Sequence, residues 1–234
     1  MRKIIIMACV LIAAISSWQV MAVPVSAGKI VLVTGKASAV SPDGKSRKMK
    51  RGGPFYEGDT IETTKKSFVK LKYTDGGVML LRPGTKIVVE KYKDPKAGQG
   101  ESVTKLVKGG MRAVTGAIAK KNRKKYKLRT PSATMGVRGT DYTVRYCSGD
   151  CADLSNYGAP APTDGLYTGV SSGGITLTNA SGTRLFKVGQ YGYVATSTAR
   201  IGLLPGAPAI LAVDNLPDPT DNSGKDFISG NACQ

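Results

Sequence analysis

Two cysteines four positions apart, Cys147 and Cys151, and a run of seven cations within the ten residues 120–129 are the groups in this chain whose types and spacing imply chemistry. The cysteines enclose Ser148, Gly149 and Asp150 directly after an alternating apolar stretch, and in an exported chain they would close into a disulfide. A thiol redox pair is the alternative, although its usual spacing is Cys-x-x-Cys. Closing so short a loop contributes only about 2 kcal/mol in the chain-entropy model, enough to clamp a strand end. Cys233 is left over, either free or paired elsewhere. The cation run comprises Lys120, Lys121, Arg123, Lys124, Lys125, Lys127 and Arg129, with Tyr126 among them. It suits phosphates or other anions, with the tyrosine ring available for stacking. It also suits a basic helix over 106–127 lying on an anionic membrane surface. The plainest reading is a solvated hairpin tip whose like charges stay in water. The single aromatic favours that last reading, and the seven cations stand as the polyanion-binding candidates.

Other chemistry is thinly supported. The chain has no histidine, which removes the commonest general base, imidazole metal ligands and histidine-dependent triads, but not Ser-Lys or Thr variants. Carboxylates can be paired as Asp59 with Glu62 or Asp75 with Asp141. A glycoside hydrolase needs its two carboxyls about 5–10 Å apart across a cleft, whereas aspartate is routine in turns. Leaving aside Cys9 in the N-terminal apolar run, three thiols without histidine make a poor zinc site. No catalytic residue, cofactor or metal is expected, and the chain reads as a non-enzyme.

Strands must position these groups. Tyr142, Val144 and Tyr146 alternate with Thr143 and Arg145 just before the cysteines. Val69, Leu71 and Tyr73 alternate with Lys70 and Lys72, which predicts a half-buried strand with a lysine-coated outer face. The run 78–81 is apolar on both faces and predicts a central strand. Ser41-Pro42-Asp43-Gly44, Asp75-Gly76-Gly77 and Arg82-Pro83-Gly84 punctuate a meander. Between Val103 and Ala119 the apolar spacing fits a helix, but Gly109, Gly110 and Gly116 would each cost a helix about 1 kcal/mol, so a kinked hairpin is expected. Gly136 and Gly139 bracket Val137-Arg138, implying φ > 0 or close backbone approach. Ile175, Leu177, Gly182 and Phe186 echo the spacing of Val69, Leu71, Gly76 and Leu80, with a turn over 179–182. The fold class is all-β: an antiparallel sandwich- or barrel-like domain, with a β-roll as a variant.

The N-terminus reads as a leader. Arg2 and Lys3 precede an apolar run from Ile4 to Ile15, and Val20-Met21-Ala22 or Val25-Ser26-Ala27 offers a cleavage site. Twelve apolar residues fall short of the roughly 20 that span a bilayer. The expected division is a signal peptide over 1–27, a β domain over 28–195 (core 28–146, further strands 165–195), and an extended or disordered tail over 196–234. The mature chain is expected to be periplasmic or secreted. The 34 Lys and Arg outnumber 16 Asp and Glu, and 28 of those cations, against nine acidic residues, fall in 28–146. Such a field attracts polyanions. It also keeps strand edges soluble, which is the simpler account.

Residues 130–142 resemble the corner of FecR-type domains, through Thr130-Pro131-Ser132-Ala133-Thr134 leading into Val137-Arg138-Gly139-Thr140-Asp141-Tyr142. Gly58-Asp59-Thr60-Ile61-Glu62-Thr63 with 67–71 and 75–77, and Val107-Lys108-Gly109-Gly110-Met111-Arg112, fit the same resemblance. It implies a non-enzymatic periplasmic β module, in which Pro131, Gly136, Arg138, Gly139, Thr140 and Asp141 form a structural corner. The expected role of Arg138 is to tie backbone carbonyls with its five donors. The family includes sigma regulators that relay a signal across the inner membrane. With no cytoplasmic segment or span expected here, the alternative is a periplasmic arm of such a system, and a carbohydrate-active enzyme ranks below both. The expected partner is an envelope component or protein, an anionic glycan or a lipid headgroup, rather than nucleic acid.

Overall fold

The computed structural model describes residues 25–98, 100–151 and 162–212. The expected leader up to residue 24, the connection at 152–161, and 213–234 with Cys233 lie outside the described residues.

The first part of the chain is β1 (Ser26–Thr34), β2 (Ala37–Val40), β3 (Ser46–Lys48), β4 (Pro54–Tyr56), β5 (Thr60–Thr63), β6 (Phe68–Tyr73), β7 (Val78–Leu81) and β8 (Lys86–Lys93). The expected meander is corrected: β6 and β7 pair as a hairpin, but β8 leaves β7 and pairs with β5 and with the strand that follows it. A 14-residue β9 (Glu101–Val114) follows, then a short helix α1 (Ala117–Lys121), β10 (Tyr126–Arg129), β11 (Thr134–Val137) and β12 (Asp141–Cys147). The last part is β13 (Gly165–Ser172), β14 (Gly174–Asn179), β15 (Gly182–Lys187), β16 (Tyr191–Val194), β17 (Gly202–Leu204) and a helical turn α2 (Ala209–Ala212).

These strands build two layers that share one strand. The first layer runs β4-β1-β6-β7-β9-β12-β13-β16-β17. The second runs β3-β2-β5-β8-β9-β10-β11-β14-β15. The layers do not close into a barrel, so the sandwich-like expectation holds. Residues 101–108 of β9 pair with β8 in the second layer, and 109–114 pair with β12 in the first. The crossing point is Gly109, at φ 80°, where an added Cβ would stand 2.6 Å from the Thr85 Cα. The expected kinked hairpin is therefore one strand bent between layers; the glycines let the chain change sheet instead of reversing. α1 then carries the chain back, and β10 enters beside the first half of β9 in the same direction. This is the parallel pair in an otherwise antiparallel fold.

The inner faces meet in one core. Val69, Leu71, Tyr142 and Val144 of the first layer are fully buried, as are Ile61, Ile87, Leu106, Leu128, Leu177 and Phe186 of the second. Tyrosines bridge the layers: the Tyr126 and Tyr142 hydroxyls are 2.8 Å apart, and the Tyr73 and Tyr92 rings are 5.4 Å apart. The two echoed segments are hairpins, β6–β7 and β14–β15, one in each layer.

Two further expectations are corrected. Lys70 is not on a solvated face: it is 3% exposed, and its neighbours Leu80 and Arg82 are fully buried. The outer side of β6 and β7 is thus covered at Lys70 and Leu80, while Lys72 on the same face stays exposed as expected. The C-terminal stretch contributes structure through Ala212. β17 pairs with β16, and Arg82 donates to the carbonyls of Ile210 (3.0 Å) and Leu211 (2.8 Å), tying α2 to the sheet. Finally, Ser26 and Ala27, placed at the end of the expected 1–27 leader, stand in β1; Ala27 is fully buried, and its carbonyl accepts from the Thr74 N–H at 3.1 Å.

Candidate anion-binding groove

Strand alternation and register fix what the outer face of the second layer presents. Leu128, Met135, Val137, Ile175, Leu177 and Phe186 point inward and anchor β10, β11, β14 and β15 to the core. Their neighbours point outward in three rows across the strands. One row is Lys127, Gly136, Thr176 and Leu185, and the next is Arg129, Thr134, Thr178 and Thr183. The third is Arg138, Gly174 and Lys187, held in line by the Arg138 N–H bonding to the Gly174 carbonyl at 3.0 Å. A groove of about 690 Å³ lies over this face, lined by Arg123, Lys124 and Lys127 from the β10 side, by Arg138 after β11, and by Lys187 on β15. Its floor is made of glycine and threonine. At Gly136 an added Cβ would meet nothing within 4 Å, so the glycine opens space above the sheet and relieves no clash.

The expected cation cluster is divided by this geometry. Arg123, Lys124 and Lys127 line the groove, whereas Lys120, Lys121 and Lys125 do not. Arg129 turns to Glu90, with Nη1 3.1 Å from the carboxylate. Lys120 and Lys121 end α1, and Arg123, Lys124 and Lys125 form a single 3-10 turn capped by the Asn122 side chain, which accepts from the Lys124 N–H at 3.1 Å. The segment is a crossover between layers rather than a hairpin tip, and the helix is far shorter than a membrane-lying 106–127. Tyr126 faces inward at 8% exposure and offers no stacking surface. Arg138 and Lys187 were not among the anion candidates. The Arg138 side chain is exposed and makes no hydrogen bond or ion pair among the described residues. The arginine that ties carbonyls is Arg82.

The other corner residues stand in a network of backbone and side-chain bonds. Gly139 takes φ 57°. Thr140 Oγ1 donates to the Gly174 carbonyl (2.8 Å) and accepts from the Arg138 N–H (3.0 Å), while the Thr140 N–H donates to Thr115 Oγ1 (2.8 Å). Asp141 receives both Nε (3.1 Å) and Nη2 (2.8 Å) of Arg112, a bidentate pair that fixes β12 on β9. Pro131 sits in the β10–β11 turn, closed by the Ala133 N–H donating to Thr130 Oγ1 at 3.1 Å. The carboxylates weighed for catalysis are engaged in similar ways. Asp59, fully buried, is bonded by Arg47 and by the Tyr56 N–H at 2.7 Å. Asp75 accepts from the Gly77 N–H (2.9 Å) and the Ile118 N–H (3.2 Å), anchoring the start of α1. Cys147 and Cys151 form the expected disulfide, buried in a small cluster with Tyr167 and Ile210. No helix among the described residues is long and apolar enough to cross a membrane.

Residues 59–153 match the family model described as FecR protein. No curated protein matches the chain. Two crystal structures of a candidate anti-sigma factor from Parabacteroides distasonis are similar at 13% identity, with TM-scores of 0.47 and 0.46, each covering 63% of this chain and 59% of theirs. A cell surface anchoring domain is similar at 24% identity and a TM-score of 0.26 over 26% of this chain and 80% of its own. The chain spans about three fifths of the length of the first two.

Proposed function

We propose, from the match of residues 59–153 to the FecR protein family model, that this chain is a non-enzymatic, exported β module that captures an anionic component of the cell envelope. The observation that carries the reading is the groove on β10, β11, β14 and β15, where cations from separate segments converge over a floor that leaves room for a ligand. Arg123, Lys124, Lys127, Arg138 and Lys187 are the residues assigned to binding. The test is capture of anionic envelope glycans and lipids at about 0.1 and about 1 M salt, where the screening length falls from about 10 to about 3 Å. A built site keeps a saturable component at high salt. Loss of all binding there would leave only a diffuse field and sink the reading.

The family match favours a second reading, in which the module is the periplasmic arm of a sigma-regulating relay. A chain that keeps its N-terminal apolar run in the membrane and co-purifies with a transmembrane partner would select that reading. A freely released chain would select the first.

A further inference from the structure

Resting on the reading of the groove as an anion-binding site, we infer that its ligand is an extended anionic polysaccharide laid across the strands, with Gly136 as the residue that admits it. From Lys127 to Leu185 the outward row crosses three strand spacings, about 14 Å at about 4.8 Å each. Cations therefore stand at both margins of the groove, Lys127 on β10 and Lys187 on β15, with Arg138 after β11 and the uncharged Gly136, Thr176 and Gly174 in the strip between the margins. A compact phosphate would engage one margin and leave the other idle; a chain bearing charges at intervals engages both.

The strip matches sugar chemistry. Thr134, Thr176 and Thr178 supply hydroxyls that both donate and accept. Leu185, 59% exposed, gives an aliphatic surface for the C–H face of a ring. The volume of about 690 Å³ lies within the usual range of ligand sites. Single-stranded nucleic acid is disfavoured because the one aromatic of the cation run, Tyr126, is buried with its hydroxyl bonded to Tyr142 at 2.8 Å. A lipid surface would need several apolar groups reaching beyond the cations, and among the groove's lining residues Leu185 is the large aliphatic side chain that is exposed.

Gly136 makes the inference separable from the field. Its Cβ position is open, its φ is not positive, and it lies mid-strand, so Gly136→Val should fold normally while filling the floor without altering charge. Titrate the full chain with hexameric oligogalacturonate, with polyphosphate and with phosphatidylglycerol vesicles. The expected result is saturable oligogalacturonate binding that Gly136→Val weakens at least tenfold and Arg138→Ala several-fold, both with the wild-type melting temperature. Lys48→Ala, which lies on the same layer away from the groove, should leave it unchanged. Binding of all three probes with equal affinity in wild type and Gly136→Val would overturn the inference and leave polyanion capture intact. Preference for vesicles would replace the glycan with lipid. No binding of any probe would remove the functional reading as well.

Discussion

Four tyrosine hydroxyls, those of Tyr73, Tyr92, Tyr126 and Tyr142, sit between the layers with partners such as Thr74 (2.7 Å from Tyr92). Burial pushes Tyr92 up to about 12 and raises Tyr73, Tyr126 and Tyr142 further above their ordinary value of 10.0. A tyrosine is neutral when protonated, so above about pH 10 the unfolded chain releases protons that the folded chain retains. Stability is therefore complete below about pH 10 and declines as pH rises, by about 1.4 kcal/mol per pH unit for each such group. Urea midpoints should stay level from pH 7 to about 9.5 and fall steeply beyond 10, with a shallower fall for Tyr126→Phe. A level midpoint up to pH 11.5 would show that the hydroxyls ionise in place. The burial of Tyr126 was hidden in the sequence because the parity of β10 is set by its pairing with β9, more than twenty positions away, and not by its own cation-rich composition. Arg138 departs from expectation in a related way: the Gly174 carbonyl beside it accepts from Thr140 Oγ1 and from the Arg138 N–H, and its exposed side chain lines the groove.

At the scale of elements, alternation showed which residues face in wherever one face alone is buried. Val69, Leu71, Tyr142 and Val144 were legible for that reason, and the turn at 75–77 gave the β6–β7 hairpin, but the turn at 82–84 carries the chain into the other layer instead of extending a meander. Lys70 was not, because its outer face is covered, and no local pattern records a second covering. The bend of β9 was half legible: the glycines argued against a helix, but a reversal and a change of layer leave the same signature. Gly109→Ala should cost more than about 2 kcal/mol, since it adds a side chain at φ 80° and places a Cβ 2.6 Å from the Thr85 Cα and 2.9 Å from the Gly84 carbonyl. Gly136→Val, two strands away with open space above it, is the matching substitution expected to be silent in stability. Urea denaturation of the two variants side by side checks both claims.

For the whole molecule, the position of β1 decides where an exported chain must begin. Ala27 lies in the core and is bonded to Thr74, so cutting after it would strip the first residues of a strand that pairs with both β4 and β6. Mass spectrometry of the mature protein should find Val23 at its N-terminus, from cleavage after Ala22; a chain starting at Gly28 would contradict this. The groove was legible only in part. The cation run was visible, but the far wall comes from β15, and its apposition to β10 depends on two intervening strands, β11 and β14, of which β14 follows only after β12 and β13.

β9 has one further consequence. Its first half needs β8 and β10 and its second half needs β7 and β12, so the strand has no complete set of neighbours until the polypeptide has been made to about residue 147. A nascent chain shorter than that can pair β1 to β8 among themselves but lacks the partners that complete β9 and join the two layers. The same dependence means that no cut near position 108 yields two fragments able to fold alone.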